Sequence, residues 1–214
     1  MKKYILIGCV IVLSILIIAS PIFAQPKFGK GVKAGLNIAN LGGSDVEGTD
    51  SRTALVFGVF VDVPLSPIFS IQPEVLYSMQ GAKEKETDNG TTVDITYKLD
   101  YIQIPVLVKV NVPVQGSNVK PSVFAGPALG INTTAKAKGE GGGVSAEVDL
   151  KDLGMPVKST DFSLVFGAGI GFGAGSMTID FDARYWLGLS SIDDSAANAD
   201  VKNKVIQFMA SLGF

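Results

Sequence analysis

The stretch "DFSLVFGAGIGFGAGSMTIDFDARYWLGL" occupies residues 161–189. In its first half Phe162, Leu164, Phe166, Ala168, Ile170 and Phe172 share one parity, against Ser163, Val165, Gly167, Gly169 and Gly171. After "GAGS" (173–176), Met177, Ile179, Phe181, Ala183, Tyr185, Leu187 and Leu189 alternate with Thr178, Asp180, Asp182, Arg184, Trp186 and Gly188. A period of two marks a β-strand, and a short Gly/Ser run between two such periods marks a turn. The chemistry of the two faces then decides the fold. In a soluble sheet the apolar face is the core and the polar face meets water. A water-exposed strand face favours Thr or Lys, whereas here it carries glycines. Glycines and charges suit the crowded inside of a small barrel, which leaves the aromatic and aliphatic face for lipid.

The same alternation recurs outward from this hairpin, in segments 30–41, 53–63, 69–80, 92–110, 120–132 and 205–214. With 161–172 and 177–189 they make eight strands, and each supplies the roughly 9–11 residues that a tilted membrane strand needs. Turns at 64–67, 111–118 and 173–176 are short, while the stretches 42–52, 81–91, 133–160 and 190–200 are long and polar. Antiparallel neighbours put all four long loops at one end, as in outer-membrane barrels. The expected fold is therefore all-β, an eight-stranded antiparallel up-and-down transmembrane β-barrel over residues 25–214. The last strand closes on the first, so no edge is left. Two irregularities stand out. Pro73 removes a ladder donor and predicts a bulge or a locally broken ladder. In 92–110 the apolar parity switches from Val93, Ile95, Tyr97 and Leu99 to Ile102, Ile104, Val106, Val108 and Val110. That switch predicts either a bulge near Asp100 or a projection of 92–99 beyond the bilayer.

The chain opens "MKKYILIGCVIVLSILIIASPIFAQPKF". Lys2 and Lys3, an uncharged run, Pro21 and Ala24 together read as a signal peptide over residues 1–24. An uncleaved anchor is the alternative, because the run is long enough to span. Cys9, the one cysteine, lies inside it, so the exported chain folds without disulfides. Setting Lys2 and Lys3 aside leaves 16 basic and 20 acidic residues, a net charge of −4 with no basic patch for nucleic acid. There is no histidine. That excludes His-based triads, His metal sites and His proton relays. No cofactor is expected.

The stretches "GVKAGLNIANL" (31–41), "IQPEVLYSMQGAK" (71–83), "LDYIQIPVLVKV" (99–110), "PSVFAGPALGI" (121–131) and the final "SLGF" resemble the outer-membrane β-barrel family called PorT-like. The resemblance runs over essentially the whole exported chain and marks strands and turns, not chemistry. It implies an eight-stranded barrel in a Gram-negative outer membrane and supplies no activity. It also implies that Phe208, Leu212 and Phe214, on the apolar stripe of the closing strand, form the signal read by the barrel-insertion machinery.

An eight-stranded barrel is filled by its own side chains. Parity sends Lys33, Asp62, Glu74, Lys109, Asp180, Asp182 and Arg184 inward, with Gln72, Gln103 and Asn37. Buried charges must pair, and Glu74 with Arg184 is the expected bidentate pair. The expected role of this set is a polar plug; a narrow ion or proton path, or acid–base work by Asp180 and Asp182, is the functional alternative. Tyr77, Tyr97, Tyr101, Tyr185, Phe69 and Phe172 are expected in interfacial girdles, and Trp186 is expected to cap the lumen. The acidic runs 44–50 and 191–200 read as solvated loop, with divalent-cation binding as the alternative.

The expected function is that of a monomeric, non-enzymatic outer-membrane barrel in contact with lipid. It acts structurally or by binding an external ligand or protein through loops 42–52, 81–91, 133–160 and 190–200. A soluble exported ligand-binding barrel and a lipid-modifying enzyme are the alternatives.

Overall fold

The computed structural model describes residues 28–214 apart from 47, 89–90, 115, 142–143 and 198; the expected signal segment 1–24, with Cys9, lies outside the described residues. Among the described residues nine strands follow one another: β1 (Gly29–Gly42), β2 (Asp50–Pro64), β3 (Phe69–Asp88), β4 (Thr91–Asn111), β5 (Val119–Gly141), β6 (Val144–Asp149), β7 (Thr160–Ala174), β8 (Met177–Gly188) and β9 (Lys202–Gly213). Eight of them form a closed antiparallel ring in the order β1-β2-β3-β4-β5-β7-β8-β9, with β9 returning to β1. The seam runs from Gly42↔Lys202 to Gly31↔Gly213 and is extended by reciprocal backbone bonds between Lys30 and Phe214. Closure satisfies the backbone groups that lipid could not. The remaining strand, β6, pairs among the described residues with the end of β5, from Lys136 to Gly141, outside the ring's own order.

The ring is apolar outside and polar inside. Phe57, Phe181 and Phe208 are about half exposed, whereas Lys33, Glu74 and Arg184 are at most 3 % exposed. A soluble barrel would show the reverse. Buried apolar side chains, among them Leu76, Leu107, Phe124, Trp186 and Met209, fill the lumen between its polar groups.

Four expectations about the strands and loops are sharpened or corrected. Pro73 produces no bulge: the β3–β4 register is the same at Pro73↔Val106 and Leu76↔Gln103, and pairing is interrupted only between them. The bulge expected near Asp100 is present in the β4–β5 pairing, with its extra residue on the neighbouring strand rather than on β4. β4 keeps one register against β3 from Val110 to Thr91, and the extra residue lies on β5, where the partner jumps from Thr134 to Asn132. Odd residues of β4 face inward throughout, as buried Leu99, Tyr101, Gln103 and Leu107 show. What changes at Asp100 is the surroundings: below it the outward face meets lipid, above it the inward face meets other loops. In the stretch 81–91, expected as a charged loop, the described residues, 81–88 and 91, are corrected to the paired upper arms of β3 and β4. Residues 133–160 are likewise not one loop. They begin as the upper part of β5, turn into β6 and pass through a 3-10 turn at Leu150–Leu153 before rejoining the ring.

Candidate functional site: the filled lumen and its loop crown

Four tiers of side chains lie across the interior of the ring, rising from the short-turn end. In the lowest, Lys109 on β4 approaches Asp180 on β8 at 3.8 Å. Asp62 is not brought into this pair, and its Oδ1 is buried without a hydrogen-bond partner.

The second tier is the densest. Arg184 Nη1 donates to Glu74 Oε2 at 2.7 Å and Nη2 to Oε1 at 3.1 Å, the forked geometry that matches guanidinium to carboxylate. Nη2 also donates to Asp182 Oδ2 at 2.6 Å. Lys33 Nζ donates to Glu74 Oε1 at 2.7 Å and lies 3.6 Å from Asp182 Oδ2. Gln72 Nε2 adds a further bond to Glu74 Oε1 at 2.7 Å. Two cations and two anions therefore neutralise one another with no charge left unpaired, the condition under which burying them is tolerable. Aromatic faces complete the shell: Arg184 lies 5.0 Å from the Phe124 ring centroid and Lys33 4.8 Å from that of Phe60.

The topology explains why this tier reaches from wall to wall. In the ring order β3 and β8 are four strands apart either way, so the Glu74–Arg184 pair spans the diameter. Glycines make the room. A Cβ on Gly169 would sit 2.4 Å from Asp182 Oδ1, and one on Gly171 would sit 2.5 Å from Asp180 Oδ1. The glycine face of β7 is thus the floor against which the β8 carboxylates pack.

The third tier is uncharged. Trp186 Nε1 donates to Gln207 Oε1 at 3.2 Å, Gln207 Nε2 to Asn37 Oδ1 at 2.9 Å, and Asn37 Nδ2 to Ser78 Oγ at 2.9 Å. Above it, Asn203 Nδ2 donates to Tyr101 Oη at 3.2 Å and to Asp161 Oδ2 at 3.0 Å. β9 and β4 also stand opposite each other, so this tier too crosses the lumen.

Sequence reasoning missed the fourth tier. Tyr101, expected in an outer girdle, is corrected to the interior, where it is 1 % exposed. The signal was present, because Tyr101 has the parity opposite to lipid-facing Ile102 and Ile104. Tyr97 is likewise not in the girdle: it belongs to the loop crown, where its hydroxyl donates to Glu84 Oε2 at 3.0 Å. Tyr77 and Tyr185 face outward, packed on Phe57 and Phe166 with ring centroids 5.5 and 5.4 Å apart. Phe208, Leu212 and Phe214 also lie on the outer face.

The crown above the tiers has its own apolar core of Leu99, Tyr101, Ala137, Leu150 and Ile192. Its acidic residues tie loops together. Asp193 accepts bonds from the Ser195 hydroxyl (2.8 Å) and from the Ser195 and Ala199 amides (3.1 and 2.7 Å). Asp45 Oδ2 accepts from the Asp200 amide at 2.7 Å, joining the first long loop to the last. Lys98 and Lys136 both donate to Glu147, fastening β6 across β5 to β4.

A family model described as an outer membrane protein β-barrel domain matches residues 23–194. No curated protein matches the chain. Among solved structures, the chain is similar to Ail, the attachment invasion locus protein of Yersinia pestis, at 15% identity over 88% of this chain and 100% of that one, with a TM-score of 0.44. It is similar to Neisserial surface protein A at 13% identity over 87% and 96%, TM-score 0.46. It is also similar to the N-terminal β-barrel domain of Pseudomonas aeruginosa OprF at 9% identity over 89% and 100%, TM-score 0.45.

Proposed function

This chain belongs to the outer membrane protein β-barrel domain family, and from that premise we propose that it is a closed, non-catalytic barrel that acts through its loop crown. The observation that carries the reading is the Glu74–Arg184 pair. It crosses the full width of the ring and is locked by Lys33, Gln72 and Asp182. A water-filled path would have to break a tier whose charges are already neutralised, and then pass two more hydrogen-bonded tiers. The same saturation argues against acid–base work: Asp182 is held by Arg184 and Lys33, and Asp180 faces Lys109. What remains free to meet the surroundings is the crown, built from the described residues of 43–49 and 189–201 and from the β3–β4 and β5–β6 arms.

Planar-bilayer recording tests the plug. The purified full-length protein is expected to insert without steady unitary currents, and large steady currents would sink the reading. Deleting 135–158 tests the crown: the barrel should still insert and show heat-modifiable mobility, while binding to external partners is lost.

A further inference from the structure

Inside the crown lies a cavity of about 350 Å³, bounded by the first and last long loops, the segment after the 3-10 turn and the upper arms of β1, β3 and β4. Such a volume is at the lower end of small-molecule sites. At the ~30 Å³ that one water occupies in the liquid, it has room for roughly a dozen heavy atoms.

Its floor is apolar and closed: Leu99, Leu150 and Ile192 are at most 5 % exposed. Met155 and Val157 continue the apolar wall. Its charged lining residues have one sign. Asp45, Glu84 and Asp193 border it, and none of the described lining residues is Lys or Arg. Lys158, which follows Val157 in the chain, turns its ammonium to the Ser191 carbonyl at 3.2 Å. Backbone bonds tie the loops around the cavity to one another: Lys158 N donates to Ile192 O, Asp194 N to Pro156 O and Ile192 N to Val201 O.

We infer that this cavity is a binding site for a small amphiphile with a hydrocarbon chain and a cationic amine head. The chain lies on Leu99, Leu150 and Ile192. The head stays at the rim, where each carboxylate keeps acceptor capacity beyond the bonds it makes within the crown. An anionic head such as a carboxylate meets like charge at Asp45, Glu84 and Asp193, opposed by Lys158, whose charge reaches Asp193. The inference rests on the crown being the interacting end of the barrel.

The test uses full-length protein in lipid nanodiscs, labelled with ¹³C at the methionine methyls, with decylamine as probe and decanoate as its charge-reversed match. Met155 lines the cavity, Met177 lies on the exposed outer face and Met209 is in the lumen. Decylamine should move the Met155 methyl saturably and leave Met209 still, with decanoate weaker by about tenfold or more. Ala199→Phe, which fills the cavity from its lining, should abolish the shift in a barrel that remains heat-modifiable. Glu84→Lys should narrow or invert the preference between amine and carboxylate. Movement of Met177 alone, equal binding of decanoate, or undiminished binding by Ala199→Phe would each overturn the inference. A barrel that conducts but still shows the Met155 response would sink the plug and leave this site standing. A closed barrel without that response would sink this site alone.

Discussion

Arg184 holds the lumen together because its guanidinium fork meets one carboxylate from the opposite wall and one from its own strand. Removing it leaves Glu74 with Lys33 and Gln72, and leaves Asp182 with Lys33 alone at 3.6 Å. Loss of one partner from a buried ion pair costs about 3–5 kcal/mol. Arg184→Met is therefore expected to lower the free energy of folding into lipid vesicles, read from urea titration, by about 3–5 kcal/mol. Adding Glu74→Gln to it should cost less than the sum of the two single changes, because the second removes a charge that the first left unpaired. Additive costs would show that the pair is not coupled. Arg184→Lys keeps the charge but loses the fork, and should fall between wild type and Arg184→Met.

At the scale of elements, β7 and β8 show what was legible. A period of two needs no tertiary knowledge, so the faces of Phe162–Phe172 and Met177–Leu189 could be read directly from the chain. Which glycine serves which carboxylate could not, because that depends on the register Gly169↔Asp182 and Gly171↔Asp180. Gly169→Val should push the Asp182 carboxylate off Arg184 and Lys33. Reduced folding yield in vesicles, recovered in part by Asp182→Ala, is the expected result; no recovery would show that backbone crowding dominates. The arms of β3 and β4 were illegible for a physical reason. Above the membrane a strand meets water on one face, and "KEKETD" (83–88) has the composition of a loop whether or not it is paired. The crown cavity was illegible too, since it is assembled from segments more than 100 residues apart.

The last long loop permits a pH test. The Ser195 hydroxyl, with the Ser195 and Ala199 amides and the charge of Lys158, holds the Asp193 carboxyl below the ordinary aspartate range. A lowered folded-state pKa contributes stability that is present above the unfolded value and is lost as pH falls through the folded one. The Ser195 and Ala199 amide signals should therefore titrate together with a midpoint below about 3.9, the model-peptide value. A midpoint at or above that value would mean the loop is not held by this carboxylate.

For the whole molecule, filling is divided between two structures in series. The polar tiers belong to the ring, since their side chains come from β1, β3, β4, β7, β8 and β9. The crown belongs to the segments above it. This division predicts that the two can be removed separately. Deletion of 135–158 takes away β6, Leu150 and the wall of the crown but leaves Glu74, Arg184, Lys33 and Asp182 in place. In planar bilayers that variant should remain closed. Glu74→Ala with Arg184→Ala removes the diametric pair and leaves Lys33 facing Asp182, still a neutral set. In the crown-deleted background this double change should open a narrow, salt-dependent conductance, because it empties the widest-spanning tier of its largest side chains. In the intact chain the same change should conduct less, with the crown still above it. Steady currents from the crown deletion alone would place the seal in the loops and refute the division.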